Sequence, residues 1–269
     1  MTKLYVDRLA ITVRSSPRLG PTAELHRTHQ RRQVAHLVAE RRGVPEERIR
    51  ARRPLDGEPA DAGDFLVVQR TLTALGSPPG RPHTLYLVRS GPLLDPMVAP
   101  LTAAAHTTGW PGDEVGISHL EEQGGTLVFD LLAWAVPEGD GATVVVVDDP
   151  AYVDDTTEDP AFAAVGLRLA PTGALRIRAC GEGEPPAPDT GPYAHRFSGA
   201  GPCDAWLELY AALESGAIGR GESALLHTAG RERQGWVLVE GGRAGPQRRA
   251  RVRINGFGVW DGPKKPPPT

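Results

Sequence analysis

Cysteine, serine and histidine are the side chains here that could make or break acyl bonds. Cys203 stands with Asp204 at the head of an apolar segment of helical spacing, Ala205 to Ser215. A thiol at a helix N-terminus is stabilised as its thiolate. Asp204 beside it works the other way, and a small buried residue packing the helix onto a sheet is the simpler account. His195 and Ser198 are three residues apart, and a Ser-His pair can hydrolyse esters when a third group orients the imidazole. Nothing near Ser198 supplies that group. His119 lies in a polar elbow, His119 to Gln123, where it either meets a ligand or is merely solvated. His26, His29 and His36 share one predicted helix, but no carboxylate or cysteine completes a ligand set and arginines surround them. Neither a metal nor a cofactor is expected. Arg248, Arg249, Arg251 and Arg253 recur along a predicted strand and suit either an acidic carrier protein or a charge-protected sheet edge. Tyr152, Asp154 and Asp155 read as surface loop residues.

The elements that would position these groups centre on Glu114 to Ala135. A short β-type run, Val115 to Ser118, leads through the elbow and two glycines into an apolar segment. There Leu127, Leu131 and Trp134 recur at helical intervals, with Val128, Leu132 and Ala135 beside them. That pattern predicts a helix buried on most of its circumference. A helix entered from a strand through a tight glycine turn turns its N–H groups toward the sheet's carboxyl edge, where α/β folds hold ligands and nucleophiles.

Before it, Leu4 to Val13 reads as a strand and Pro21 to Arg42 as a helix, with Pro at its start and Gly43 past its end. Ala60 to Leu75 is a second helix, Thr84 to Val88 a buried strand and Asp95 to Thr107 a third helix. The valine run within Thr143 to Val147 fits an interior strand covered on both faces. Strands alternating with helices imply a mostly parallel layered sheet. Asp154 to Pro160 is the internal boundary, separating a half at 1–155 from one at 160–262, and the tail 263–269 reads as disordered. In the second half a hairpin turns at Pro171 to Gly173, and Gly181 to Pro192 is a loop. Ser198 to Asp204 opens the helix Ala205–Ser215, two strands close at Gly221–Thr228 and Trp236–Glu240, and Arg249–Trp260 adds an edge strand. A glycine turn, buried helix and strand recur at Gln123–Val147 and Ser198–Thr228, an internal duplication.

The bulk numbers bound the class. The 269 residues are 40% hydrophobic and 23% charged, a globular composition. A formal charge of −3 gives no broad electrostatic reason to expect nucleic acid or an anionic membrane. Two cysteines, Cys180 and Cys203, cannot build a disulfide framework. The first residues lack a continuous apolar run, so no signal peptide is expected, and no segment is long enough to cross a bilayer. A cytoplasmic location is expected.

The order of elements resembles the thiolase-like fold of type III ketoacyl-ACP synthases and their acyltransferase relatives. The stretch GAGPCDAWLELYAALESGAIGRGESALLHTAGRERQGWVLVE is similar to that family's closing segment, GISHLEEQGGTLVFDLLAWA to its nucleophile elbow, and TVVVVDD to the strand after it. The resemblance implies an α/β, thiolase-like layered fold with two similar halves, the second shortened. It also implies a Cys-His-Asn set that this chain departs from. Gln123 or Gly124 stands at the cysteine's place, Cys180 and Gly181 at the histidine's, and Gly199 within Ser198–Gly201 at the asparagine's. The expected function is therefore a non-catalytic ketosynthase-III-like subunit in secondary-metabolite (polyketide or fatty-acyl) biosynthesis. It would pair with an active ketosynthase or acyltransferase as a heterodimer, or with itself, and stabilise the partner's acyl pocket, with acyl carrier protein as a possible further partner. The alternatives are an acyltransferase or hydrolase that has re-invented a site from Cys203 or Ser198 with His195, and an acyl or carrier-protein binding module.

Overall fold

The computed structural model describes residues 4–14, 19–21, 29–52, 62–77, 83–91, 100–118, 120–148, 152–154, 162–187, 193–230, 233–242 and 248–254. The elbow's His119, the histidine His26, Asp155, the proposed boundary at 155–160 and the tail 263–269 lie outside them.

The first half opens with strand β1 (Tyr5–Arg14), β2 (Leu19–Pro21), helix α1 (His29–Arg42) and β3 (Ile49–Arg52). Next come α2 (Ala62–Leu75), β4 (Thr84–Arg89), α3 (Pro100–Thr108), β5 (Glu114–Ile117), α4 (Gly124–Ala135), β6 (Ala142–Asp148) and β7 (Tyr152–Asp154). The second half carries β8 (Phe162–Ala170), β9 (Leu175–Glu182), β10 (His195–Gly199), α5 (Asp204–Ser215), β11 (Ser223–Ala229), β12 (Gln234–Gly241) and β13 (Arg248–Ile254). Pro21 ends a strand instead of opening the first helix, because residues 19–21 pair with β3 in a small sheet β2-β3-β7. Tyr152 is not a loop residue: it pairs with Ala51 in that sheet and is buried against α1 residues Ala35 and Ala39. His36 lies on the exposed side of α1 between Glu40 and Glu46. Among the described residues no cluster of three or more His, Cys, Asp or Glu could hold a metal.

Ten strands form one sheet in the order β10-β11-β12-β9-β1-β8-β6-β4-β5, with β13 beside β1. It is mixed, not mostly parallel: β4 runs parallel to β5 and β6, and β10 to β11, while β8, β9 and β12 pair antiparallel with their neighbours. Each half repeats a strand, a buried helix and a strand of the same direction, as β5–α4–β6 and β10–α5–β11. Strands β8 and β9 do not form the expected hairpin. The chain steps across β1, and the two strands flank it in the same direction, Tyr5 facing Ala170 on one side and Arg176 on the other. Gly173 permits the crossing, since a Cβ there would lie 2.7 Å from the Val6 carbonyl oxygen. The arginine strand β13 pairs in parallel along Arg8–Arg14 of β1 and, among the described residues, with no other strand, as an edge strand does.

The valine run explains the layering. Val144 and Val146 of β6 belong to the core under α4 and α5, and Val145 and Val147 to the core under α2 and α3. Tyr86/Val88 and Leu85/Leu87 of β4 divide in the same way. Period-two alternation of apolar side chains thus buries both faces. Helix α4 is buried on one face only. Val128, Phe129 and Leu132 are covered, whereas Leu131 is 45% and Trp134 88% exposed. The helix packs against β4, β9, β11 and β12, which leave Leu131 and Trp134 exposed. No helix among the described residues is long and apolar enough to cross a membrane.

Candidate active-site elbow

The chain leaves β5, makes a single turn of 3-10 helix at Glu121–Gln123 and enters α4 at Gly124. Glu121 takes φ +47°, a left-handed backbone that costs a non-glycine residue about 1–3 kcal/mol. Its carboxylate is held 2.5 Å from the Arg41 guanidinium at the end of α1. Gly124 and Gly125 begin α4 because no side chain fits there. A Cβ on Gly124 would come within 2.9 Å of the Val88 side chain, and one on Gly125 within 1.8 Å of the Pro202 carbonyl oxygen. Pro202 directly precedes Cys203, the N-cap of α5, so the N-terminal ends of the two buried helices abut. The Trp206 indole of α5 donates to the Gly125 carbonyl at 2.7 Å, and its ring leans on Phe129 with centroids 5.6 Å apart. Such a pair contributes roughly 0.5–1.5 kcal/mol beyond its buried area.

Gln123 is the side chain placed at this junction, and only 1% of it is exposed. Its amide nitrogen donates to the Gln234 backbone carbonyl at 2.8 Å. A carbonyl can only accept, so the amide orientation is fixed and Oε1 points the other way, where it has no hydrogen-bond partner among the described residues. Thr126 donates its hydroxyl back to the Gln123 carbonyl at 3.1 Å. The β11–β12 hairpin closes over this turn: a Cβ on Gly235 would lie 2.4 Å from Thr126 Oγ1, and one on Gly230 3.0 Å from Glu122. Behind it, Gln234 Oε1 sits 3.1 Å from His227 Nε2, and His227 Nδ1 3.2 Å from Arg196. Guanidinium only donates, so Nδ1 accepts and Nε2 carries the hydrogen toward Gln234. Gln234, His227 and Arg196 went unnoticed in the sequence because their neighbours at the elbow are more than sixty residues away. The glycine after Gln234 was the available signal.

The other sequence candidates stand apart. Cys203 is fully buried, its sulfur facing the Val146 and Ala163 carbonyls at 3.5 and 3.8 Å. Burial, and then the charges of Asp148 and Asp204, push its thiol well above the ordinary range. Cys180 is half-buried in β9, and burial with the Asp130 charge pushes its thiol up to about 11. His195 and Ser198 are an odd number of residues apart on β10 and so face opposite sides of the sheet. The His195 imidazole instead meets Glu222 at 3.2 Å, and the Glu222 carboxyl is held below its usual value by the Gly219 N–H and by His195. Gly199 is packed against Asp204, whose Cβ would lie 2.1 Å from an added Cβ. Asp204 spans the turn and accepts the Gly201 N–H at 2.7 Å.

Chemically, the elbow holds a carboxamide whose nitrogen is delocalised and forms no acyl ester or thioester. Thr126 spends its hydroxyl on the backbone.

No family model matches the chain, and no curated protein does. Solved structures do. The chain is similar to ChlB3, an acyltransferase, at 13% identity with a TM-score of 0.59, covering 91% of this chain and 99% of that one. It is similar to the 3-oxoacyl-(acyl carrier protein) synthase III of Xanthomonas oryzae at 12% identity and TM-score 0.56, covering 89% and 99%. Xanthomonas campestris OleA superposes at 12% identity and TM-score 0.54, covering 89% and 98%. The fold is thiolase-like. Sharing at this level of identity establishes the architecture and leaves the chemistry to the residues.

Proposed function

We propose that this chain is a non-catalytic, ketosynthase-III-like subunit that supports an active ketosynthase or acyltransferase of the same fold. The observation that carries the reading is Gln123: a carboxamide, buried and bonded to the β11–β12 hairpin, occupies the helix N-terminus where such enzymes hold an acyl-accepting thiolate. The other two positions agree with it. The resemblance puts Cys180 at the histidine's place and Gly199 at the asparagine's, and a Cβ added at Gly199 would lie 2.1 Å from Asp204 Cβ. The re-invented sites lose support on geometry, since Cys203 is sealed under carbonyl groups and His195 is turned away from Ser198.

The likeness to an acyltransferase and to a 3-oxoacyl-(acyl carrier protein) synthase suggests fatty-acyl or polyketide assembly as the setting, with the acyl chain delivered to the partner on a carrier protein. The partner's place is suggested by β5, a four-residue strand paired, among the described residues, on one side only, with its Val115 38% exposed. The test is co-expression with candidate ketosynthases, followed by trapping with an acyl thioester. A stoichiometric complex with the acyl group on the partner's cysteine is the expected result. An acyl group on this chain, within or outside the complex, contradicts it.

A further inference from the structure

Three buried polar atoms with no hydrogen-bond partner among the described residues, His83 Nδ1, Thr143 Oγ1 and Arg168 Nε, belong to one corner of the large sheet. Strand pairing places them. Thr143 of β6 stands opposite Arg168 of β8 in the antiparallel register and beside Leu85 of β4 in the parallel one. Leu85 lies in the core under α2 and α3, so Thr143 and Arg168 face that side, away from α4 and the elbow. His83 comes two residues before Leu85 and folds over Gly141, two residues before Thr143. A Cβ on Gly141 would lie 2.6 Å from His83 Cε1. The Arg168 charge reaches the imidazole and helps to lower its pKa. Thr143 is 0% and Arg168 3% exposed, so bulk solvent does not satisfy them. Buried polar atoms are almost always paired, and three unpaired ones on neighbouring residues call for a shared partner.

We infer that His83, Thr143 and Arg168 hold one ordered water molecule, which ties the start of β4 to β6 and β8. The donors and acceptors narrow the choice. Arg168 Nε only donates, whereas the Thr143 hydroxyl and a neutral imidazole nitrogen either donate or accept. A cation is excluded by the guanidinium itself. An anion is disfavoured by what surrounds it. The other two guanidinium nitrogens of Arg168 donate to the Gly76 and Ser77 carbonyls, and Arg8 donates to that of Leu75. Those carbonyls are the negative end of α2. The charges of Asp140 and Asp7 act on His83 and Arg168 as well. A small neutral molecule that both donates and accepts meets neither objection. Buried waters make about three hydrogen bonds to groups of this kind. The water accepts the Arg168 Nε–H and completes its bonds with Thr143 and His83.

The wild-type full chain tests this without any substitution. A high-resolution crystal structure, from crystals soaked in bromide, should show one water within about 2.5–3.2 Å of all three atoms and no anomalous peak there. In solution, the Arg168 Nε–H should cross-relax with a long-lived water in nitrogen-edited NMR spectra. Thr143→Val keeps the shape and removes one bond, and should shorten that water's residence about fivefold, the size of one net hydrogen bond. A dry site overturns the inference. So does a solvent peak within reach of only one of the atoms, a bromide peak, or an Arg168 signal that never meets water. The site lies on the opposite face of the sheet from Gln123, so either outcome leaves the subunit reading to its own acyl-trapping test.

Discussion

At the scale of single residues, Gln123 concentrates the account. A sequence shows that a glutamine stands before two glycines. It does not show that the Gln234 carbonyl, far down the chain, receives its amide. That carbonyl also accepts the Gly183 N–H at 2.8 Å, so Gln123→Leu removes one of its two donors and costs about 0.5–1.5 kcal/mol, the net worth of one hydrogen bond. Chemical denaturation should show a loss of that size with no change in acyl-transfer activity. The thiols give a second check. Cys203 should resist alkylation at pH 8 in the folded chain, and Cys180, raised to about 11, should react far more slowly than an ordinary surface thiol. Both should label at once in denaturant. Rapid native labelling of Cys203 would revive it as a nucleophile.

At the scale of elements, periodicity found α4 and α5 and the valines of β6, because burial writes a regular pattern into a chain. It failed where the pattern depends on what lies opposite. Leu131 and Trp134 have the spacing of core residues, yet they face outward because β4, β9, β11 and β12 cover only the other side of the helix. The turn at Pro171–Gly173 has the composition of a hairpin, yet β1, from the other end of the sequence, lies between its arms. No local signal records such an insertion. The contact that makes α4 and α5 a unit was equally invisible: Trp206 reaches Gly125 across eighty-one residues. Trp206→Ala should cost roughly 3–5 kcal/mol, since it empties a fully buried site and removes the indole hydrogen bond to the Gly125 carbonyl. Gly125→Ala should also destabilise, by ~3 kcal/mol, by forcing a methyl into the Pro202 carbonyl. Both are measurable as shifts in the unfolding midpoint. A neutral Gly125→Ala would mean the two helix ends do not abut.

At the scale of the whole molecule, acid should destabilise the fold through His83. Burial, and then the Arg168 charge, lower its pKa, with Asp140 opposing them. The unfolded chain takes up a proton at about pH 6.5, whereas the folded imidazole waits for a lower pH. The unfolded state therefore binds more protons in that interval, and stability held above pH 6.5 is lost as the pH falls through it. The thermal midpoint should drop over this window in the wild type and drop less in His83→Gln. A thiolase-like architecture was readable from the order of elements and the closing segment. Its functional meaning was not, since the same architecture serves when the elbow carries a thiol and when it carries an amide.

The central claim is that this chain never holds the acyl group. The most direct measurement is the intact mass of the purified full chain after incubation with acyl-CoA thioesters of several lengths between pH 7 and 9. The account predicts an unchanged mass and no thioester loss above the blank. An acyl adduct, mapped to any residue of the chain and lost on substitution of that residue, would contradict it.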